Sequence, residues 1–165
     1  MINKTFENPN LGKVDLEQLT KNIASFIKAD AQQPYRLVIG SDSHEKRLNG
    51  KKELNLVGAI IIHRQGKGGR YFYQKQKRAE PHSLKEKIYV ETLFSLEIAT
   101  ELLPLINKEL NGKKPYELEI HIDVGRVGET REMIKEVVGM VTGNGFTAKT
   151  KPESFGASKV ADKHT

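Results

Sequence analysis

Residues 117–124 alternate with a period of two: Glu117, Glu119, His121 and Asp123 are polar, and Leu118, Ile120, Ile122 and Val124 are apolar. Successive side chains of a strand point to opposite faces, so this pattern predicts a half-buried strand. The run closes on Asp123-Val124-Gly125, and residues 126–130 lead into a helical pattern. A carboxylate at the C-terminal edge of a strand, beside a glycine turn, stands where open α/β sheets place their ligands.

The same reading gives the order α-βββ-α-β-α-β-α for the whole chain. Residues 1–13, with Pro9, Gly12 and several asparagines, read as an irregular arm. Asp15 is expected to cap an N-terminal helix to about Ala29, on the helical spacing of Leu16, Leu19, Ile23, Phe26 and Ile27. Residues 35–39 form a short β-type run that ends in Gly40-Ser41-Asp42-Ser43-His44. Residues 54–63 are nearly all apolar and predict a central strand. The glycine-rich turn 65–70 joins it, as a hairpin, to a third strand that begins at Tyr71.

Ser83, with Glu86 three residues on, has capping-box spacing and opens a long helix to about Leu103. Pro104 is expected to kink it, and Asn111-Gly112 to stop it. Residues 130–141 predict a helix with Met133, Ile134, Val137, Val138 and Val141 turned inward. A short strand over 146–151 and a last helix over 157–164 complete the chain. Three strands in succession, then strands alternating with helices, predict a mixed sheet in which an antiparallel meander joins parallel crossovers.

The length, 165 residues, suits one domain spanning 1–165. A net charge of +6 favours an anionic partner. The absence of cysteine excludes disulfides and thiolate metal sites, and agrees with the reducing cytoplasm as the expected location. Residues 1–10 lack the apolar core of a signal peptide, and the longest apolar run, 56–62, is too short to span a membrane. A soluble protein with no membrane partner is expected.

Four acids draw attention. Asp42 and Asp123 each end a predicted strand, lie near a glycine and precede a chain reversal. If their strands are adjacent and parallel, both reach one end of the sheet. Two such oxygens repel unless a cation sits between them, and Mg²⁺ is the natural one, because it is held by few carboxylates and keeps waters for phosphate. The plainer reading is that each Asp caps a turn or helix. Glu91 shares a helical face with Phe94, Ser95, Ile98, Ala99 and Leu102, and so points toward the sheet; Glu86 and Glu97 compete with it. Val160 and Ala161 would turn Asp162 toward the sheet edge.

Cations complete the picture. Lys67, Arg70, Lys75, Lys77 and Arg78 cluster with Tyr71, Phe72 and Tyr73 on the predicted hairpin, a combination that grips phosphates and stacks bases. Lys149, Lys151, Lys159 and Lys163 flank the last helix. The plainer reading is a solvated hairpin whose alternate aromatics are core. His82, His121 and His164 are candidate proton carriers.

Five stretches together carry a resemblance: Ile39-Gly40-Ser41-Asp42-Ser43, Gly66-Lys67-Gly68-Gly69-Arg70-Tyr71-Phe72-Tyr73, His121-Ile122-Asp123-Val124-Gly125, Val138-Gly139-Met140-Val141, and Ala157-Ser158-Lys159-Val160-Ala161-Asp162-Lys163-His164. They resemble the bacterial YkuK family of predicted ribonuclease-H-related nucleases. The resemblance covers nearly the whole chain from about Thr5. It implies a ribonuclease H-like α/β fold: a mixed five-stranded sheet of order 3-2-1-4-5, flanked by helices, here with an extra N-terminal helix. It also implies a site in which Asp42, Glu91, Asp123 and Asp162 hold two divalent ions, Mg²⁺ or Mn²⁺, for hydrolysis of phosphodiester bonds in RNA, DNA or hybrid. Lys67, Arg70, Lys151 and Lys159 are the expected nucleic-acid contacts.

Two other readings compete. One is a non-catalytic nucleic-acid-binding module on the same fold. The other is a phosphotransferase, because Asp123-Val124-Gly125 with Gly128 and Thr130 resembles the phosphate turns of sugar kinases and actin-like ATPases. That reading needs a second domain, for which the chain is too short.

Overall fold

The computed structural model describes residues 4–124, 131–151 and 153–154. In order it contains β1 (Thr5–Asn8), β2 (Gly12–Asp15), α1 (Leu16–Ala29), β3 (Tyr35–Leu48), β4 (Lys51–Arg64) and β5 (Gly69–Ala79). These are followed by α2 (Leu84–Glu109), β6 (Tyr116–His121), α3 (Arg131–Gly143) and β7 (Thr147–Lys149). The expected helix over 157–164 lies outside the described residues.

Local chemistry sets the helix starts. Asp15 caps α1 through a complete capping box: the Gln18 amide donates to its carboxylate at 2.7 Å, and its own amide donates to the Gln18 side chain at 2.9 Å. Ser83 caps α2, accepting the Glu86 amide at 3.1 Å. α2 then runs through Pro104, where a kink was expected, to Glu109. The buried stripe of Ile98, Leu102 and Ile106 continues past the proline, so packing carries the helix over the lost N–H.

All strands join one sheet, in the order β2-β1-β5-β4-β3-β6-β7. The inner five reproduce the expected 3-2-1-4-5 arrangement, with β4 antiparallel to β3 and β5, and β6 parallel to β3 and β7. Among the described residues the sheet has seven strands, not five. Residues 1–13 were expected to be irregular, but β1 and β2 form a hairpin that pairs Glu7 with Tyr73 on the β5 edge. Phe6, completely buried, anchors that hairpin in the core.

Strand lengths also differ. β3 and β4 are each 14 residues long and pair without a break from Tyr35↔Arg64 to Leu48↔Lys51. Asn49 and Gly50 close them with positive φ values of 53° and 78°, as a two-residue turn of the primed kind requires.

The described helices share one face of the sheet. Leu19, Ile23, Phe94, Ile98, Leu102, Val137 and Val141 form one core cluster with Leu37, Ile39, Ile60, Ile62, Phe72 and Ile120. Alternation puts Val38, Ala59 and Ile61 on the other face, in a small separate cluster. Gly58 allows the close helix contact: a Cβ there would stand 2.6 Å from Ile98 Cδ1 and 2.7 Å from Phe94 Cε2.

Candidate functional site

Asp42 lies inside β3 rather than at its end, on the face away from the helices. The parallel register of β3 and β6 ends with Gly40 opposite His121. Two residues further along each chain stand Asp42 and Asp123. The Ile122 amide still donates to the Lys149 carbonyl at 2.9 Å, and the Val124 amide then turns back to the Ile122 carbonyl at 2.9 Å. Asp123 is therefore the centre of a three-residue turn just past β6.

Glu91 reaches this end of the sheet from α2. Its expected stripe partners, Phe94, Ser95, Ile98, Ala99 and Leu102, are all buried, and Glu91 itself is only 6 % exposed. Ser41 and Ser43 occupy the helix-facing positions of β3 and receive it. Ser41 Oγ donates to the Glu91 backbone carbonyl, and Ser43 Oγ to Glu91 Oε2, both at 2.5 Å. Burial pushes the Glu91 carboxyl up to about 7. The Ser43 hydrogen bond and Lys87 oppose the rise, while the charges of Asp42 and Asp123 add to it. Two acids remote in sequence thus act electrostatically on Glu91.

The competing acids do other things. Glu86 accepts the His82 amide at 3.0 Å at the start of α2, and Glu97 is half-buried further along the helix. Asp42 Oδ1 accepts the Ser43 amide at 2.9 Å, and His44 Nε2 lies 3.9 Å from Asp42 Oδ2. Lys151 Nζ stands 2.8 Å from Asp123 Oδ1, which puts one expected basic contact at the acids. Asp162, Lys159 and His164 lie outside the described residues.

Lys67 and Arg70 belong to the opposite end of the sheet. Arg70 is level with Ile62 and Leu37, five residues before Asp42 on β3 and so roughly 16 Å from it along the strand. Its guanidinium donates to Asn22 at 2.7 Å and lies 4.9 Å from the Phe26 ring centroid, which ties α1 to the sheet. Lys75, by contrast, is level with Val57 and Asp42.

Sequence reading named His121 but missed the charge cluster around it, next to Asp123. Glu119 bonds His121 Nε2 through Oε1 at 2.9 Å and pairs with Arg36 through Oε2 at 3.1 Å. Burial holds the His121 imidazole below its usual range, although Glu119 pulls the other way. It also missed Ser41 and Ser43. Their alternation with Ile39, two hydroxyls on a core-facing row, was the available signal.

The donor set suits a hard cation in kind, because carboxylate oxygens are what Mg²⁺ and Mn²⁺ take. The like charges of Asp42 and Asp123 acting on buried Glu91 are the observation that tests this fit, since a cation would relieve that repulsion. Among the described residues no three acidic or imidazole side chains stand close enough to hold an ion together. The fit is therefore to an ion held by one or two carboxylates and water, the usual manner of Mg²⁺, and not to a closed protein cage.

The fold and this acidic sheet end define a class before they define a protein. A family model described as ribonuclease H-like matches residues 18–165. The chain is also similar to "Uncharacterized protein YkuK" of Bacillus subtilis (strain 168), at 30% identity over 97% of this chain and 96% of that one. No solved structure matches it. The chain belongs to the YkuK family of ribonuclease H-like proteins. No described helix is long and apolar enough to cross a membrane.

Proposed function

We propose that this protein is a divalent-metal-dependent nuclease that hydrolyses phosphodiester bonds in RNA, DNA or a hybrid of the two. The observation that carries the reading is buried Glu91, raised to about 7 and sensing Asp42 and Asp123 at one end of a ribonuclease H-like sheet. Asp42, Glu91 and Asp123 are the described residues that would hold Mg²⁺ or Mn²⁺, with Asp162 as the fourth. Two such ions, when bound, lower the pKa of an attacking water and neutralise charge on the phosphate.

The chain's own residues set the remaining terms. Ser43 fixes the Glu91 carboxylate by its hydrogen bond. Lys151, beside Asp123, supplies a cation for the substrate phosphate. The net charge of +6 favours the approach of a polyanion, and the setting we propose is the cytoplasm.

The test is cleavage of labelled RNA, DNA and hybrid duplexes with Mg²⁺, with Mn²⁺ and with chelator. Wild type should cut at least one substrate only with metal, and Asp123→Asn should lose about 100-fold or more of that activity. Equal cleavage by the variant, or none by wild type, would sink the reading. A second reading, a binding module that does not cut, is favoured by the Lys151–Asp123 ion pair and by the open donor set. It predicts nucleic-acid binding that persists in chelator, with no cleavage.

A further inference from the structure

β3 and β4 do not stop at the acids. Beyond Asp42 and its partner Val57 they continue as a ribbon to the Asn49-Gly50 turn. β5 accompanies β4 only as far as Ala79, opposite Glu53, so the tip is two-stranded. Residues 44–52 of this ribbon are all exposed. Packing does not explain it, because a two-stranded ribbon that buries no apolar face is marginal by itself.

Strand alternation sorts its side chains. Partners opposite one another share a face, and that of Asp42 carries Lys46 on β3, Lys51 on β4, and Lys75 and Lys77 on β5. All four lysines are exposed. Glu53 lies on this face too, 3.9 Å from Lys77. Residues two apart on a strand recur at roughly 6.6 Å, so the lysines form a cationic track that starts level with Asp42 and runs outward. Lys75 is its inner end and Lys51, near the turn, its outer end.

We propose that this ribbon is a clamp for the sugar–phosphate backbone of a nucleic-acid strand, with Lys46, Lys51, Lys75 and Lys77 leading the strand to Asp42. The clamp deepens the nuclease reading and rests on it for the destination of the strand. Its grip is phosphate contact and so independent of base sequence. No shape or base-edge recognition is asked of it.

The experiment uses the full chain in chelator, so that binding is read without cleavage. Anisotropy of labelled single-stranded RNA and DNA is titrated over a range of salt for wild type, K46Q/K51Q and K75Q/K77Q. Each double variant should bind about tenfold or more weakly at low salt, equally for unrelated sequences. Its slope of log K against log salt should be shallower by roughly 1.4, that is about 0.7 per lysine on a single strand. The lysine-to-arginine pairs should keep the wild-type slope. K28Q/K108Q, which changes exposed lysines on the helices, serves as the control.

Unchanged affinity and slope in both ribbon variants would overturn the clamp, and so would an equal loss in the helix control. The nuclease reading fails separately. If the ribbon variants lose binding but wild type cuts nothing with metal, the clamp stands and the cutting falls. If Asp123→Asn abolishes cleavage while the ribbon variants bind and cut as wild type does, the clamp falls alone.

Discussion

On the helix side of the sheet, Leu37, Ile39, Ile60, Ile62, Phe72 and Ile120 are completely buried against Phe94, Ile98 and Leu102. On the other side, β3 and β6 present Arg36, Asp42, Glu119 and His121, and the apolar cluster shrinks to Val38, Ala59 and Ile61. The strands are the same, and only the parity of the residue differs. One face gains hydrophobic free energy in proportion to the area it buries. The other holds charged groups in places where burial works against them. Glu91 joins the two: its helix packs on the apolar face, while its carboxyl feels the acids associated with the charged one. A fold that gathers its stability on one side can carry an electrostatically costly site on the other.

Substitutions can break that division, and the largest effect belongs to the apolar face. Phe94→Ala should destabilise by about 4 kcal/mol, the cost of removing a large buried ring, read as a fall in the denaturation midpoint. A loss below about 1 kcal/mol would mean that the helix face does not carry the fold. Glu91→Gln tests the link between the faces. Its carboxyl has a folded-state pKa raised from 4.5 to about 7, so its contribution is favourable below pH 4.5 and is lost as pH rises through about 7. In chelator, Glu91→Gln should thus exceed wild type in stability at pH 8 by an amount on the order of 3 kcal/mol, with the gain fading toward pH 5. A gain independent of pH would refute the burial of an ionisable group here.

The smallest effect is expected on the charged face. Glu119→Leu leaves Arg36 and His121 without their partner. The cost should be about 2 kcal/mol, below that of a wholly buried pair, because the Arg36 side chain is 38 % exposed. NMR titration adds an independent readout: the His121 pKa should fall further, since Glu119 both bonds its ring and attracts its charged form. A rise would show that Glu119 does not govern it.

Much of this was legible in residues alone. The stripe of Glu91 with Phe94, Ile98 and Leu102 is a local helical repeat, and it is buried as read. The caps at Asp15 and Ser83 are local hydrogen bonds, and both form. Other parts were not. β3 was expected to stop at residue 39 but runs to Leu48: Glu45-Lys46-Arg47 have little strand propensity, and Asn49-Gly50, a strong hairpin signal, was not used. β1 and β2 were missed for another reason: at four residues each, they hold their shape by pairing with each other and, through β1, with β5, and carry little periodicity of their own.

The sequence by itself determined the centres of α1, α2 and α3 and of β4 to β7, which face of each is apolar, and the short list of acids worth attention. These follow from period and propensity, which act within a few residues. Only the tertiary structure decided that Asp42 and Asp123 each follow by two residues the last parallel pair of β3 and β6, that Ser43 reaches Glu91, and that Arg70 serves the far end of the sheet instead of the acids. Those outcomes depend on strand order and register, which are set by burying one common core, and no local window of the chain contains them.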